Sequence, residues 1–162
     1  MKRFILLITA TLFFAFHIAV GSSAALDLLE KDRTVPLNEA GDMVVLSNEE
    51  VTEGLRLFND KCSQCHKGGY SKTDPNVTLA AEDLKYATPP RDNLEALVDY
   101  LKHPTSYDGE IDISIFHPST DSADIFRYMR NVTTDELVDI AGYILYEVNT
   151  KSKTWGCGKV CN

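Results

Sequence analysis

The sequence predicts a mainly α fold. Three observations carry that expectation. Ser47 with Glu50, Asp92 with Glu95, and Thr133 with Glu136 have the spacing with which a side chain and a glutamate close off a helix start. Each pair is followed by apolar residues recurring at steps of three and four, the period of one helix face. Against these helices stand only two short β-type runs. A chain of 162 residues suits one domain with a modest core. No repeat, low-complexity tract or linker rich in Pro, Gly or Ser divides it.

The N-terminus reads MKRFILLITATLFFAFHIAVGSSAA. Lys2 and Arg3 precede an apolar run from Phe4 to Val20, and Ser23 and Ala25 provide a small-residue cleavage site. This pattern predicts a bacterial-type signal peptide over residues 1–25, removed before Leu26, and a single domain over 26–162. An uncleaved anchor is the alternative, but the run is near the lower length limit for spanning. His17 lies in the leader and is set aside. Downstream of Leu26 no stretch is apolar and long enough to span a bilayer.

Removing Lys2 and Arg3 leaves 14 basic against 24 acidic residues, a net charge of −10. Such a chain avoids nucleic acid and anionic lipid. It favours a basic partner surface, with binding that weakens in salt.

In chain order, RTVPLNEAGDMVVLS holds the two β-type runs, around a turn at Asn38–Asp42. A helix is expected from Asn48. Its face of Val51, Leu55, Phe58, Cys62 and Cys65 would carry both thiols on the buried side. A second helix follows in TPPRDNLEALVDYLKHP, with Leu94, Leu97, Val98 and Leu101 apolar and Pro104 as its stop. A short helix is expected around Ser122–Met129. The last helix is TTDELVDIAGYILYEV, whose stripe runs through Leu137, Ile140, Ala141, Ile144, Leu145 and Val148.

The chemistry concentrates in CSQCHKGGY, residues 62–70. C-x-x-C-H in an exported chain is the signature of c-type haem attachment. Two thiols form thioethers with the two haem vinyl groups. The spacing on a helical turn sets both sulfurs, Cys62 and Cys65, at those vinyls. His66 then offers an imidazole nitrogen as the proximal iron ligand. Two alternatives compete. A thioredoxin-type disulfide usually opens a helix after a strand, whereas here a helix precedes the motif. A zinc site of Cys62, Cys65, Cys157 and Cys161 leaves His66 unexplained and needs a very long gap between its pairs.

The sixth ligand has four candidates in the mature chain: His103, His117, Met43 and Met129. Met ligation raises the haem potential, whereas two imidazoles would lower it. His103 ends the second helix, where a capping role is the simpler reading. The residues alone leave His117 and Met129 equally placed.

Gly54, Phe58, Cys62, Cys65 and His66 form G-x-x-x-F-x-x-x-C-x-x-C-H. This arrangement resembles class I c-type cytochromes, small helical shells around one haem. There the glycine lets a C-terminal helix cross closely, against an aromatic residue. LVDIAGYIL, with Gly142 and Tyr143, is the expected partner.

From about Arg33 to Lys159 the chain resembles a narrower family, the extrinsic cytochrome of photosystem II (the PsbV family). RTVPLN, EGLRLF, CSQCHKGGYSKT, ATPPRDNLEALVDYLKHPTSYDGE, HPSTDSADIFRYMRN and LVDIAGYIL carry the likeness. It implies a class I c-type cytochrome fold with a short N-terminal β-hairpin. It implies one haem c per chain, bound covalently through Cys62 and Cys65. His66 and His117 would be its axial ligands, so the haem would be low in potential. Met129 would lie near the haem without ligating it. The implied partners are photosystem II core subunits and other extrinsic lumenal subunits. The implied role is to stabilise the manganese–calcium cluster and help retain calcium and chloride, peripheral to the thylakoid membrane and not spanning it. The implied location is the thylakoid lumen of a cyanobacterium or algal plastid. The short leader, with no Arg- and Ser-rich transit peptide, agrees with that.

The resemblance implies no enzyme, and two strong axial ligands leave no open iron site for peroxidase or gas-binding chemistry. A diffusible low-potential electron carrier is the alternative function. One departure stands out. The family's tail is usually Gly- and Tyr-rich, whereas here it reads WGCGKVCN; Cys157 and Cys161 could stay free thiols, ligate a metal or pair as a disulfide, and the disulfide is the preferred reading.

Overall fold

Capping residues start the two longest helices where the sequence expects them. The computed structural model describes residues 28–157, so the leader and Cys161 lie outside the described residues. A short helix α1 (Glu30–Arg33) leads into strand β1 (Thr34–Pro36), and β2 (Met43–Val45) returns. The strands pair antiparallel, Val35 opposite Val44. Asn38 closes the turn: its side-chain oxygen accepts the N–H groups of Ala40 and Asp42, as Asx turns do.

Helix α2 (Asn48–Lys61) opens with the Ser47–Glu50 capping box, both reciprocal bonds present. A short turn α3 (Ser63–His66) and a 3₁₀ turn (Lys67–Gly69) follow. Next come α4 (Ala81–Tyr86) and α5 (Leu94–Lys102). A second 3₁₀ turn (Arg127–Met129) precedes α6 (Thr134–Thr150), capped by Thr133 and Glu136.

Three expectations shift. On α2 the buried residues are Val51, Gly54, Leu57 and Phe58, while Leu55 is exposed. One residue turns a helix by about 100°, so Leu55 is carried off the face that Gly54 defines. The cap of α5 is Asn93, whose side chain accepts the Ala96 N–H at 3.0 Å; Asp92 stands one residue too early. Ser122–Met129 holds only the 3₁₀ turn at its end. Ser119 and Ser122 exchange bonds there, each hydroxyl accepting the other's backbone N–H at 3.2 Å. Such local side-chain bonds compete with helix formation.

The α2/α6 crossing organises the core. A Cβ on Gly54 would stand 2.1 Å from the Asp139 carbonyl oxygen and 2.7 Å from Tyr143 Cβ. Only glycine lets the backbones approach this closely. Phe58 and Tyr143 then meet with ring centroids 5.3 Å apart. Gly142, next to Tyr143 on α6, faces Leu46 instead. Trp155 joins both aromatics, 5.6 Å from Phe58 and 6.1 Å from Tyr143. Leu46, Leu57, Leu137 and Ile140 are among the most deeply buried side chains around this crossing.

Candidate cofactor site

The α2 helix stops at Cys62 (φ −113°, ψ −34°), whose N–H still donates to the Phe58 carbonyl. The chain immediately starts a new turn. Cys65 and His66 both donate their backbone N–H to the Cys62 carbonyl, at 3.1 and 2.8 Å. Cys62, Cys65 and His66 therefore share one turn. This re-aiming leaves Cys62 half-buried and Cys65 exposed, against the expectation that α2 would bury both thiols. Both are free thiols and line one cleft.

The next residues reverse the chain beneath the motif. Gly69 has φ +78° and packs so closely on Trp155 that a Cβ would lie 2.7 Å from the indole. The reversal brings buried Ser71 back to His66, its Oγ 3.1 Å from Nδ1.

The opposite wall comes from the segment after α5. Ile113 donates its N–H to the Pro104 carbonyl, and His117 donates to Ile113 at 2.8 Å. The resulting loop swings His117 over the motif. The rings of His66 and His117 face each other with centroids 6.0 Å apart and planes inclined by 48°. Tyr100 meets the His117 ring edge-on at 5.1 Å. Leu97, Leu101, Ile140, Ile144 and Met129 supply apolar walls to a cleft that is partly open to solvent.

The surroundings keep both imidazoles neutral. Burial holds the His66 pKa below the ordinary histidine value. Burial, with His66 and Arg91 beside it, takes His117 down to about 4; only the Pro118 backbone pulls the other way. Neutral imidazole is the form that donates a lone pair to a metal. His117 Nδ1 is buried without a hydrogen-bond partner of good geometry. Burial also pushes the Cys62 thiol up to about 12.

The other sequence candidates separate cleanly. His103 ends α5 and turns its Nδ1 to Asp121, 2.7 Å away and outside the cleft. Met43 is exposed on β2. Met129 is buried in the cleft wall. Cys157 is engaged in a disulfide, which removes it from any thiolate zinc site. No group of three or more His, Cys, Asp or Glu poised for a metal occurs among the described residues.

Sequence reasoning missed Ser71, Tyr100, Arg91 and Trp155. Ser71 follows the motif by a reversal that the glycine pair at 68–69 signals. The other three approach only through the fold.

The comparisons with known proteins agree with one another. The family model described as the cytochrome c-550 domain matches residues 26–162. A photosystem II extrinsic protein V from Aphanothece halophytica is 51% identical over 162 residues, covering 100% of this chain and 99% of its own. Its counterpart from Nostoc punctiforme is 52% identical over 159 residues, covering 98% of each. The crystal structure of cytochrome c549 matches with TM-score 0.77 and 50% identity, covering 80% of this chain and all of that one. The PsbV2 cytochrome from Thermosynechococcus elongatus matches with TM-score 0.61 and 35% identity, over 71% and 82% of the two chains.

The fold is thus that of a class I c-type cytochrome with a two-stranded hairpin, and the family implies a c-type haem. No helix among the described residues is long and apolar enough to cross a membrane. On these matches this chain belongs to the cytochrome c-550 family of photosystem II extrinsic proteins.

Proposed function

We propose that the chain is an extrinsic lumenal haem subunit of photosystem II, holding one covalent haem c between His66 and His117. The facing imidazoles carry this reading. Metal–imidazole bonds are about 2 Å long and a ring centre lies roughly 1 Å behind its ligating nitrogen. Two rings sharing one ion therefore have centres about 6 Å apart, and the 6.0 Å separation here fits.

When bound, the haem supplies a low-potential one-electron iron centre. The chain's own residues do the rest. Cys62 and Cys65, which share one turn, would tether the group. His66, its Nδ1 hydrogen-bonded to Ser71, keeps Nε2 for the iron. Leu97, Leu101, Ile140 and Ile144, which line the cleft, would exclude water around it. Two imidazole donors hold the potential low, which makes the group a poor acceptor from a high-potential chain.

The function that follows is structural. Docked on the lumenal face, the subunit shields and stabilises the manganese–calcium cluster and helps retain calcium and chloride. Its partners are core subunits and other extrinsic subunits. The charge of −10 beyond residue 25 favours a basic docking surface. Residues 1–25 serve as the cleaved leader, and the family match beginning at residue 26 supports that boundary. Salt-washing photosystem II and adding the purified protein back tests the role. Oxygen evolution at low calcium or chloride should fall on washing and recover on addition. A protein that never accompanies the complex, or restores nothing, would instead be a soluble carrier.

A further inference from the structure

Three charged side chains line the cleft: Lys61, Asp83 and Arg91. Two are satisfied by the protein. Lys61 pairs with Asp60 at 2.8 Å. Asp83 Oδ2 accepts the Thr78 N–H at 2.8 Å and its hydroxyl at 2.6 Å. Arg91 is different. It is only 7% exposed, yet forms no ion pair among the described residues.

The fold holds the Arg91 guanidinium from one side only. Nη2 donates to the Ser106 carbonyl at 2.7 Å, and to the Thr105 carbonyl and hydroxyl at 3.1 and 3.3 Å. The guanidinium lies over the Tyr100 ring, 4.0 Å from its centroid. Nε and Nη1 donate to no described residue, although a guanidinium carries five N–H donors in a rigid fork. Burial holds the Arg91 pKa below the usual arginine value. A buried cation without a counter-charge is costly, and the fork matches a carboxylate in bidentate fashion.

A c-type haem brings two carboxylates with it. We infer that Arg91 is the counter-charge of a haem carboxylate, held in place by the Thr105–Ser106 backbone and the Tyr100 ring. This assignment rests on the haem-site reading above. It adds a residue that neither the haem-attachment motif nor the axial pair contains. The charge also sits beside the iron site: Tyr100, under the guanidinium, touches the His117 ring. Arg91 therefore acts as a positioning residue, fixing the ionisation of the carboxylate that the iron charge feels.

The test is the midpoint potential of the purified holoprotein against pH, for wild type, R91Q and R91K. Ferric electron paramagnetic resonance is recorded first on each. An opposite charge within about 4–6 Å lowers a carboxyl pKa by about 1–3 units. The carboxylate-linked inflection in the potential should therefore rise by about 1–3 pH units in R91Q. R91K, which keeps the charge, should stay nearer the wild type than R91Q does. A superimposable R91Q profile with an intact bis-imidazole spectrum overturns the assignment and leaves Arg91 a loop brace. R91K shifted further than R91Q overturns it as well. A wild type without a bis-imidazole spectrum overturns the ligand reading itself, a failure seen before any titration. Should R91Q not load haem, the wild type decides alone. Redox-difference infrared spectra with ¹³C-carboxyl haem should show one carboxylate ionised throughout mildly acid pH, and protonation of both there overturns the assignment.

Discussion

Ser71 Oγ stands 3.1 Å from His66 Nδ1, and nothing else in the motif steers that ring. A hydrogen bond accepted from Nδ1–H makes an imidazole a stronger donor at its other nitrogen, which favours ferric iron. S71A should therefore raise the potential. A bond worth about 1 kcal/mol, lost wholly in the ferric state, corresponds to about 40 mV for a one-electron couple. Protein-film voltammetry reads it; a fall in potential would reverse the argument. On the other side of the cleft, H117M should replace the bis-imidazole spectrum by a methionine-type one and raise the potential. Persistence of the bis-imidazole spectrum in H117M would mean that His117 is no ligand and would point to His103. In this fold His103 lies outside the cleft, paired with Asp121.

At the scale of elements the α2/α6 crossing is the sensitive joint. G54A puts a methyl 2.1 Å from a backbone oxygen, so a flexible side chain cannot absorb it and the helices must part. Overpacking of this kind costs about 3 kcal/mol. Thermal melts of the holoprotein should show it, and an unchanged midpoint would mean the crossing is looser than drawn. The same joint carries a pH dependence. Burial, then Glu50, Glu53, Asp135 and Glu136, raise the Asp139 pKa from 3.8 to about 6. A folded pKa above the unfolded one means the folded state binds the proton more tightly. The stability this group contributes is present below the unfolded value and is lost as pH rises through about 6. D139N should therefore melt higher than wild type at neutral pH, with the gap closing toward pH 4. Solvent screening keeps the gap small, because the carboxyl is only part-buried. An equal gap at both pH values would assign it to packing instead.

For the whole molecule, the acidic balance governs association. Binding to photosystem II should weaken as ionic strength rises past the point where the Debye length drops below about 10 Å. Centrifugation assays at graded salt read this, and salt-independent retention would point to an apolar interface.

Local chemistry was legible in the chain. The two capping boxes, the hairpin turn at Asn38 and the C-x-x-C-H turn depend on residues within four positions of one another, so they needed no fold to be read. The fourfold choice of a sixth ligand was open to composition, since His and Met both ligate iron and periodicity places neither. Tertiary structure set His117 opposite His66 by bonding the loop from Pro104 to His117 back on itself. It also turned Leu55 outward, moved the α5 cap to Asn93 and dissolved the helix at Ser122 into serine bonds. Arg91, Tyr100 and Trp155 acquire their roles only there. The sequence by itself determined the C-x-x-C-H turn and the helices that frame it, because both rest on short-range spacing. Only the fold decided which distant side chains complete the cleft, because that depends on where a loop of many residues returns.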